Sequence, residues 1–323
     1  MPVTKPSIVV AESSGFSVRA ASLLQQAGNV DFADLNRSAL LSAVREADVL
    51  WVRLRHRIDA EVIAAAPRLK AIVTPTTGLN HIDVNLAERR GIRILSLRGE
   101  TEFLKDVRAT AEHTLTLMLA LLRRMPAAVT HVRDGGWDRD RFKGRELHAK
   151  TVGVVGYGRL GRIVARYLSV FDTRVLAADP HVQAETLEPG ISLVALSDLL
   201  QQADLVTLHV NLCEQTHQFF GKEAFAIMKP GAWFVNTARG ELVDEQALLV
   251  ALQSGRLAGA ALDVLGAESA AGMGEHPLVA YAREHDNLII TPHIGGCTVE
   301  SMEKTECLLA ERLLTLLTLE RRG

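Results

Sequence analysis

Gly156, Gly158 and Gly161 form the pattern Gly-x-Gly-x-x-Gly, and they follow directly on the apolar run Thr151–Val155. Gly156 allows a tight turn off a strand, and Gly158 has no Cβ to keep a pyrophosphate away from the backbone. Gly161 allows a helix, predicted over 159–171, to pack closely on the sheet. The first amides and the dipole of that helix would face the phosphates. The spacing therefore predicts a turn that binds a dinucleotide.

One carboxylate is placed to select the cofactor. Asp179 follows the next predicted strand, over 174–178, roughly 20 residues after the first glycine, where it can accept hydrogen bonds from both ribose hydroxyls. Its charge repels the 2′-phosphate of NADP, and the two residues after it supply no arginine. The sequence therefore favours NAD, with Arg159 and Leu160 as further contacts at the start of the helix. Protonation of His181 leaves some use of NADP open.

Further polar side chains follow predicted strands in the same part of the chain. A dinucleotide-binding fold holds its ligands at the carboxyl ends of its strands, so side chains just past those ends are candidates for chemistry. They are Arg239 after the strand over 233–236, Asp263 after the strand over 258–262 with Glu268 close behind it, and His293 after the strand over 287–291.

Strand and helix alternate almost throughout, which predicts an α/β fold of two doubly wound parallel-sheet domains. The strands predicted before the glycine turn cover 8–11, 48–52, 69–73 and 92–96. Six strands are predicted from the turn onward, and they cover 151–155, 174–178, 204–209, 233–236, 258–262 and 287–291. Between the two sets, residues 101–124 predict one long, mostly buried helix that connects the domains. A last helix is predicted over 298–319, with Thr298 as its N-cap.

The composition of the 323 residues, 48% hydrophobic and 23% charged, is typical of an ordinary globular protein in solution. A net charge of −2 gives no general attraction to nucleic acid or to a membrane surface, so neither is expected as a partner. The first residues lack the apolar core of a signal peptide, and no apolar run is long enough to span a bilayer, which indicates a cytoplasmic protein. Cys213, Cys297 and Cys307 lack the spacing of a metal site, so no metal is expected.

A set of short motifs, in this order and spacing, resembles the D-isomer-specific 2-hydroxyacid dehydrogenase family. Besides the glycine turn, they are Thr-Gly-Leu-Asn-His-Ile-Asp at 77–83, Ala-Glu-His-Thr-Leu at 111–115, Gly-Arg-Glu-Leu at 144–147, Asn-Thr-Ala-Arg-Gly at 236–240, Ala-Leu-Asp-Val at 261–264 and Thr-Pro-His-Ile-Gly-Gly at 291–296. The resemblance implies a Rossmann NAD-binding domain of residues 105–294, inserted in a flavodoxin-like substrate-binding domain of residues 1–104 and 295–323. It also implies hydride transfer between NAD(H) and a small 2-keto or 2-hydroxy acid of D configuration.

The resemblance makes Arg239, Glu268 and His293 the catalytic residues. The planar guanidinium of Arg239 suits the carboxylate of a 2-keto acid. His293 suits the proton that the carbonyl oxygen gains in reduction and loses in oxidation. Glu268, hydrogen-bonded to that imidazole, would fix its orientation and stabilise its protonated form.

The resemblance also implies contacts along the cofactor and the substrate. Asp263 would lie near the nicotinamide carboxamide, and His209, which ends a strand, has either a cofactor contact or a structural role. The other implied contacts of the cofactor are Thr237, Ala238, Gly295 and Gly296. The amides of Thr77, Gly78 and Leu79 would hold the substrate carboxylate from the other domain, and closure of the domains would exclude water.

Arg53 bears on the identity of the substrate. It follows a predicted strand, and a similar arginine in phosphoglycerate dehydrogenases reaches the substrate. Those enzymes commonly carry another arginine where this sequence has Thr74-Pro75-Thr76, and their long forms carry a regulatory domain that does not follow here. A small 2-keto acid such as glyoxylate or hydroxypyruvate is therefore preferred, and 3-phosphohydroxypyruvate is the alternative.

Two further expectations concern partners. The family also includes NAD-sensing transcriptional corepressors, so a non-catalytic, NAD-dependent binding protein is a second alternative. The apolar helical stretch around 115–122 predicts a contact between two copies of the chain, and hence a homodimer.

Overall fold

The computed structural model describes residues 5–266, 268 and 272–320. The chain divides into two compact units, one of Met1–Val107 with Thr298–Gly323 and one of Arg108–Cys297. We call the first the split unit and the second the inserted unit. The domain boundaries expected from the sequence, after residues 104 and 294, lie a few residues before these divisions. The separate roles expected for the two domains stay predictions.

The strands of the described residues are β1 Ser7–Val10, β2 Asn29–Phe32, β3 Val49–Trp51, β4 Ala71–Thr74, β5 Arg93–Ser96, β6 Thr151–Val155, β7 Arg174–Ala178, β8 Ile191–Leu193, β9 Leu205–Leu208, β10 Ala232–Asn236, β11 Leu257–Leu262 and β12 Leu288–Ile290. The α-helices are α1 Val18–Ala27, α2 Arg37–Ala43, α3 Ala60–Ala65, α4 Val84–Arg89, α5 Thr101–Leu104, α6 Ala109–Leu122, α7 Met125–Arg133, α8 Arg159–Ser169, α9 Leu196–Gln202, α10 Lys222–Ile227, α11 Glu245–Gln253, α12 Pro277–Glu284 and α13 Val299–Glu320.

The split unit contains a five-stranded parallel sheet with the order β2-β1-β3-β4-β5. This is the strand order of flavodoxin-like folds. Alternate residues of β1 point to opposite faces, so Ile8 and Val10 pack with α1 and α13, while Val9 packs with α2 and α3. Helices therefore bury both faces, as a parallel sheet requires.

The inserted unit contains a seven-stranded parallel sheet with the order β12-β11-β10-β9-β6-β7-β8. Helices α6 and α8 cover one face, and α9 to α12 cover the other. The strand order reverses between β6 and β9, and in open α/β sheets ligands bind beyond the carboxyl ends of the strands at such a reversal. The glycine turn follows β6 and therefore lies at this point.

The predicted fold class, α/β with two doubly wound parallel-sheet domains, is confirmed, but two strands were missed. These are β2 and β8, so the prediction of six strands after the start of the glycine turn was wrong: the described residues form seven. Both strands lie at a sheet edge. A strand there is less enclosed than a central strand and needs no continuous apolar run. Their sequences, Asn-Val-Asp-Phe and Ile-Ser-Leu, are too short and too polar for a period to be recognised.

The prediction of a single helix over 101–124 was also wrong. The segment contains two helices, α5 and α6, and the division between the units falls between them, after Val107. The apolar side chains of α6, among them Leu117, Met118 and Leu121, are buried in the core of the inserted unit. The core of the chain itself thus explains the apolar stretch from which a homodimer was predicted.

The predicted last helix is confirmed as α13. Thr298 caps it, because its Oγ1 accepts a hydrogen bond from the backbone N–H of Ser301 at 3.1 Å. Leu309 and Leu313 of this helix are fully buried in the split unit. Within the described ranges, no helix combines the length and the apolar character needed to cross a membrane.

Close backbone packing determines the glycine turn. Gly156 has a φ of 89°, and a Cβ there would lie 2.6 Å from the carbonyl oxygen of His209. A Cβ on Gly161 would collide with the carbonyl oxygen of Gly156. These two glycines therefore have the predicted structural roles: one forms the tight turn, and the other brings α8 close to the sheet.

His209 lies just past β9, against this turn. Its backbone N–H donates to the carbonyl oxygen of Val155 at 2.7 Å, and its Nε2 lies 3.1 Å from the Thr207 hydroxyl. Its Nδ1 is buried and has no partner among the described residues. Burial lowers the pKa of His209 to about 4, so the ring is neutral at neutral pH.

We expect His209 to make the free energy of unfolding depend on pH. The unfolded chain takes up this proton near a pKa of about 6.5, whereas the folded chain does so near a pKa of about 4, so stability is lost as the pH falls between these values. The loss is about 2 kcal/mol on going from pH ~6.5 to pH ~5. Urea unfolding at several pH values measures it, and His209→Gln should remove this part of the dependence. His148→Gln, which changes an exposed histidine, is the control, and equal pH slopes in all three proteins would contradict the assignment.

Candidate active site

Asp179 lies at the tip of β7 and is hydrogen-bonded to the glycine turn. Its Oδ2 accepts a hydrogen bond from the backbone N–H of Tyr157 at 2.8 Å, and its Oδ1 accepts one from that of His181 at 2.9 Å. The side chain is half-buried. The structure therefore brings together the carboxylate and the glycines that the sequence paired by spacing.

The space around the turn fits a phosphate-bearing ligand. An ideal Cβ on Gly158 meets no atom within 4 Å, so the first turn of α8 is open just where a pyrophosphate would approach. The ring of Tyr157 is buried instead of projecting into this space, and it is hydrogen-bonded to Glu188. The guanidinium of Arg162 covers that ring at 4.6 Å from its centroid. The turn is thus rigid on one side and accessible on the other.

His293 and Glu268 form a hydrogen-bonded pair in the inserted unit. Glu268 follows β11 and His293 follows β12, and the two strands are neighbours in the sheet. The Nδ1 of His293 lies 2.6 Å from Oε2 of Glu268, and the two side chains are 21% and 36% exposed. Oε1 of Glu268 accepts a hydrogen bond from the backbone N–H of Leu265 at 3.2 Å. The carboxylate is therefore directed at one ring nitrogen, which leaves Nε2 for a reacting group.

The backbone of His293 is in the left-handed region, with a φ of 54°. A residue other than glycine adopts this conformation only where its surroundings compensate the strain. Here the N–H of His293 donates to the carbonyl oxygen of Asp263 at 2.8 Å. The next two backbone N–H groups, of Ile294 and Gly295, donate to the Asp263 carboxylate at 2.9 and 2.8 Å. Asp263 thus determines the shape of the segment that carries the imidazole.

Asp263 also binds two side chains. Its Oδ1 accepts from the Thr291 hydroxyl at 2.6 Å and lies 3.1 Å from Nε2 of His113. Burial by itself raises the pKa of Asp263, but the hydrogen bonds from His113, Thr291 and the backbone outweigh it, so the pKa is lowered and the carboxylate is charged. Sequence reasoning assigned His113 no role in the site, because its position on α6 does not reveal a contact 150 residues away.

Arg239 lies just past β10 and is half-buried. Its Nη1 donates to the carbonyl oxygen of Ala238 at 2.6 Å, and Asn236 shapes the turn by donating to the carbonyl oxygen of Arg239 at 2.8 Å. Burial lowers the pKa of Arg239, while the carboxylates of Glu268 and Glu241 act in the opposite direction. Arginine stays protonated in proteins, so the result is a charged guanidinium with little hydration. Within the described residues it has no carboxylate at ion-pair distance.

Four other predicted contacts of the cofactor lie in the same unit. The Thr237 hydroxyl is buried and lies 2.8 Å from the Thr114 hydroxyl, whereas Ala238 is partly exposed. A Cβ on Gly295 would lie 2.8 Å from Oδ2 of Asp263, so this glycine permits the close packing around that carboxylate. Gly296 has open space around its α-carbon. Thr237 and Gly295 therefore have structural contacts of their own.

The predicted substrate loop of the split unit follows β4. Thr76 stiffens it, because its hydroxyl donates to the carbonyl oxygen of Gly78 at 2.8 Å. Among the described residues, the backbone N–H groups of Thr77, Gly78 and Leu79 donate no hydrogen bond. These three consecutive amides are therefore available to donate to an anion such as a carboxylate.

Arg53, the other predicted substrate contact, is held within the split unit. Its Nε and Nη2 donate to Oε1 of Glu306 on α13 at 3.1 and 2.5 Å, and its Nη1 donates to the carbonyl oxygen of Ser14 at 2.7 Å. The Glu306 side chain is fully buried and also accepts from the backbone N–H of Ser17 at 2.8 Å. Much of the charge of Arg53 is thus compensated inside the unit, and its contact with a substrate stays a prediction.

The comparisons with known proteins agree with this geometry. The family model "D-isomer specific 2-hydroxyacid dehydrogenase, NAD binding domain" matches residues 115–295. The chain is 40% identical to D-3-phosphoglycerate dehydrogenase of Mycobacterium bovis over 277 residues, which are 85% of this chain and 50% of that protein. It is 39% identical to glyoxylate reductase of Thermofilum pendens over 288 residues, which are 87% of this chain and 82% of that protein.

A comparison with solved structures shows the same similarity in the fold. The crystal structure of the TT0316 protein of Thermus thermophilus superposes with a TM-score of 0.82 and 34% sequence identity, over 97% of each chain. The chain spans about half the length of the Mycobacterium relative. With a match over more than half of its residues, the chain belongs to the D-isomer specific 2-hydroxyacid dehydrogenase family, and it contains that family's NAD-binding domain.

Proposed function

We propose that the protein is an NAD-dependent dehydrogenase that interconverts a small 2-keto acid and the corresponding D-2-hydroxy acid. The 2.6 Å hydrogen bond between His293 and Glu268 carries the proposal. It provides an acid–base group whose second ring nitrogen is available, in the unit that also holds the glycine turn and Asp179. NAD(H) supplies or accepts the hydride when it is bound.

Each of the three catalytic residues has a separate task in the proposed reaction. Arg239 binds the substrate carboxylate with its planar fork, and its burial strengthens that interaction. His293 gives a proton from Nε2 to the carbonyl oxygen in reduction and removes it in oxidation. Glu268 accepts the hydrogen bond from Nδ1–H, and so it orients the ring and stabilises the imidazolium.

The proposal assigns the cofactor to the open side of the glycine turn. Gly156, Gly158 and Gly161 with the first turn of α8, including Arg159 and Leu160, would hold the pyrophosphate. Asp179 would bind the adenosine ribose. His209, Thr237, Ala238, Asp263, Gly295 and Gly296 are proposed to line the cofactor, some of them through backbone groups, because several of these side chains already have internal partners.

A small substrate is favoured over a phosphorylated one because two of the arginines that follow β3 are already paired with carboxylates. Arg53 is bound to buried Glu306, and Arg55 lies 3.2 Å from Asp34. The free amides of Thr77, Gly78 and Leu79 suit one carboxylate. We therefore propose glyoxylate or hydroxypyruvate as the keto acid, with unit 1–107 and 298–323 as the substrate-binding domain and unit 108–297 as the NAD-binding domain.

A second candidate activity is oxidation of 3-phosphoglycerate. It is favoured by the 40% identity to a protein named D-3-phosphoglycerate dehydrogenase. A steady-state comparison of glyoxylate, hydroxypyruvate and 3-phosphohydroxypyruvate with NADH separates the two candidates. Higher kcat/KM for the phosphorylated acid would favour the second.

Substitution of the catalytic residues tests the mechanism. We expect His293→Gln and Arg239→Lys each to lower kcat/KM for the best keto acid by at least about 100-fold, because one removes the proton donor and the other the planar fork. Affinity for NADH, followed by fluorescence titration, should change little. Exposed His148→Gln and Arg139→Lys serve as controls. Full activity in both active-site variants would refute the mechanism.

Cofactor choice depends on the charge of Asp179. Asp179→Asn keeps the size of the side chain and an acceptor for the backbone N–H of Tyr157, but it removes the charge that repels a 2′-phosphate. We expect the ratio of kcat/KM for NADPH to that for NADH to rise by about tenfold. The measurement is a comparison of both cofactors at a saturating concentration of keto acid. An unchanged ratio would show that another residue selects the cofactor.

The proposal also includes a homodimer, although through a different surface from the predicted one. On α7, Met125, Val129 and Val132 are exposed apolar side chains at helical spacing, and Trp137, soon after the helix, is 88% exposed. A monomer rarely leaves such a cluster in water, and a second copy of this chain is the proposed partner.

Light scattering tests the dimer. We expect a dimer for the wild type and a shift toward monomer for the double variant Val132→Asp/Trp137→Ser, because the first change buries a charge in the contact. Val170→Asp, at an exposed position that is not near this cluster in the sequence, is the control. A wild-type monomer at micromolar concentration would refute this part of the proposal.

A cytoplasmic location is proposed as well. Cys213 and Cys297 are exposed, Cys307 is buried, and none of the three is in a disulfide. Exposed cysteines outside disulfides are typical of proteins in reducing compartments.

A further inference from the structure

The segment that carries Glu268 is held from two sides. On one side, Gly240 lies so close that a Cβ there would overlap the backbone of Leu265 and Gly266. On the other side, Oε1 of Glu245 accepts a hydrogen bond from the backbone N–H of Gly266 at 2.8 Å. Glu268 stands two residues further along the chain. Its carboxylate is also tied to this part of the chain directly, because Oε1 of Glu268 accepts a hydrogen bond from the backbone N–H of Leu265 at 3.2 Å.

Glu245 is itself held in place. It is the first residue of α11, and its Oε2 lies 3.1 Å from Nε2 of His276. The other ring nitrogen of His276, Nδ1, accepts from the backbone N–H of Leu278 at 3.3 Å, so the ring proton must be on Nε2 and donate to Glu245. The side chains of Glu245 and His276 are 24% and 12% exposed. A half-buried carboxylate with fixed partners on both oxygens is a rigid support.

Among the described residues, neither Glu245 nor His276 is hydrogen-bonded to a position proposed to bind substrate or cofactor. Within the same residues, the ionisable groups that face Glu268 are His293 and Arg239, and His276 faces Glu245. Glu245 can therefore act on the reaction only through the segment that it binds. Without its contact to Gly266, Glu245 would be an ordinary acidic residue in the first turn of a helix, where negative charge is favourable.

We propose that Glu245, fixed by His276, is a positioning residue that keeps Glu268 at hydrogen-bond distance from the acid–base imidazole of His293. The inference rests on the proposed function for its kinetic part, but its structural part is independent of turnover. Loss of the Glu245 oxygen frees the amide of Gly266, so Glu268 spends less time on Nδ1 of His293. The imidazolium then loses the carboxylate that stabilises it.

The test combines kinetics with an NMR measurement of the hydrogen bond between His293 and Glu268. We expect Glu245→Ala to lower kcat for the keto acid by about tenfold, with the KM and the affinity for NADH almost unchanged. Glu245→Gln keeps an acceptor for Gly266 and should retain most of kcat. In a Glu268→Gln background, Glu245→Ala should cause no further loss, because the group through which it acts is already gone. Glu284→Ala, which removes an exposed carboxylate from α12, is the matched control.

An NMR measurement separates this inference from the proposed function. In Glu245→Ala, the resonance of the proton on Nδ1 of His293, which is hydrogen-bonded to Glu268 in the wild type, should move toward its position in Glu268→Gln, whether or not any keto acid is reduced. If Glu245→Ala does not fold, His276→Ala should give a smaller shift in the same direction. An unchanged resonance in the folded variants, or a loss of kcat that adds fully to that of Glu268→Gln, would overturn the inference. Absence of turnover in the wild type with a shifted resonance in Glu245→Ala would instead refute only the proposed function.

Discussion

Asp263 carries a negative charge almost out of contact with water, and the arrangement of the inserted unit around β11 and β12 follows from that. Removal of a carboxylate from water costs several kcal/mol unless donors replace the water. Its donors are two backbone amides, a threonine hydroxyl and the ring of His113. They come from α6 and from the end of β12, so satisfying one charge brings together parts of the chain that are far apart in sequence. The left-handed backbone of His293 belongs to the same arrangement, since the two amides that follow it both donate to this carboxylate.

The sequence could predict the features that depend on local requirements. Gly156 supplies a positive φ, Gly161 avoids the carbonyl oxygen of Gly156 in the same turn, and Asp179 is placed by the length of one strand-helix-strand unit. The position of Arg239 and His293 past strand ends followed from the rule that such ends share one edge of a parallel sheet. Other features depend on partners distant in the chain. His113 gains its role from Asp263, and Arg53, which looked like a free cation past a strand, has its carboxylate 253 residues away.

The two units differ in the groups that they offer to a bound anion. The inserted unit has a buried guanidinium at Arg239, a full charge with little hydration to lose. The split unit has the amides of Thr77, Gly78 and Leu79, which are partial charges, while its cation at Arg53 is neutralised by Glu306. Backbone amides are donors for carboxylates and phosphates alike, whereas the guanidinium adds a full positive charge.

The pairing of Arg53 with Glu306 has a consequence for the order in which the chain folds. Helix α13 supplies Glu306, Leu309 and Leu313 to the split unit, yet it leaves the ribosome after all of the inserted unit. Until then, α1 covers one face of β1 and β3 without α13, and the guanidinium of Arg53 lacks its carboxylate. The inserted unit, which is continuous in sequence, has every strand and helix that it needs before α13 is made. It can therefore fold during synthesis, whereas the part of the split unit that precedes it must wait for α13.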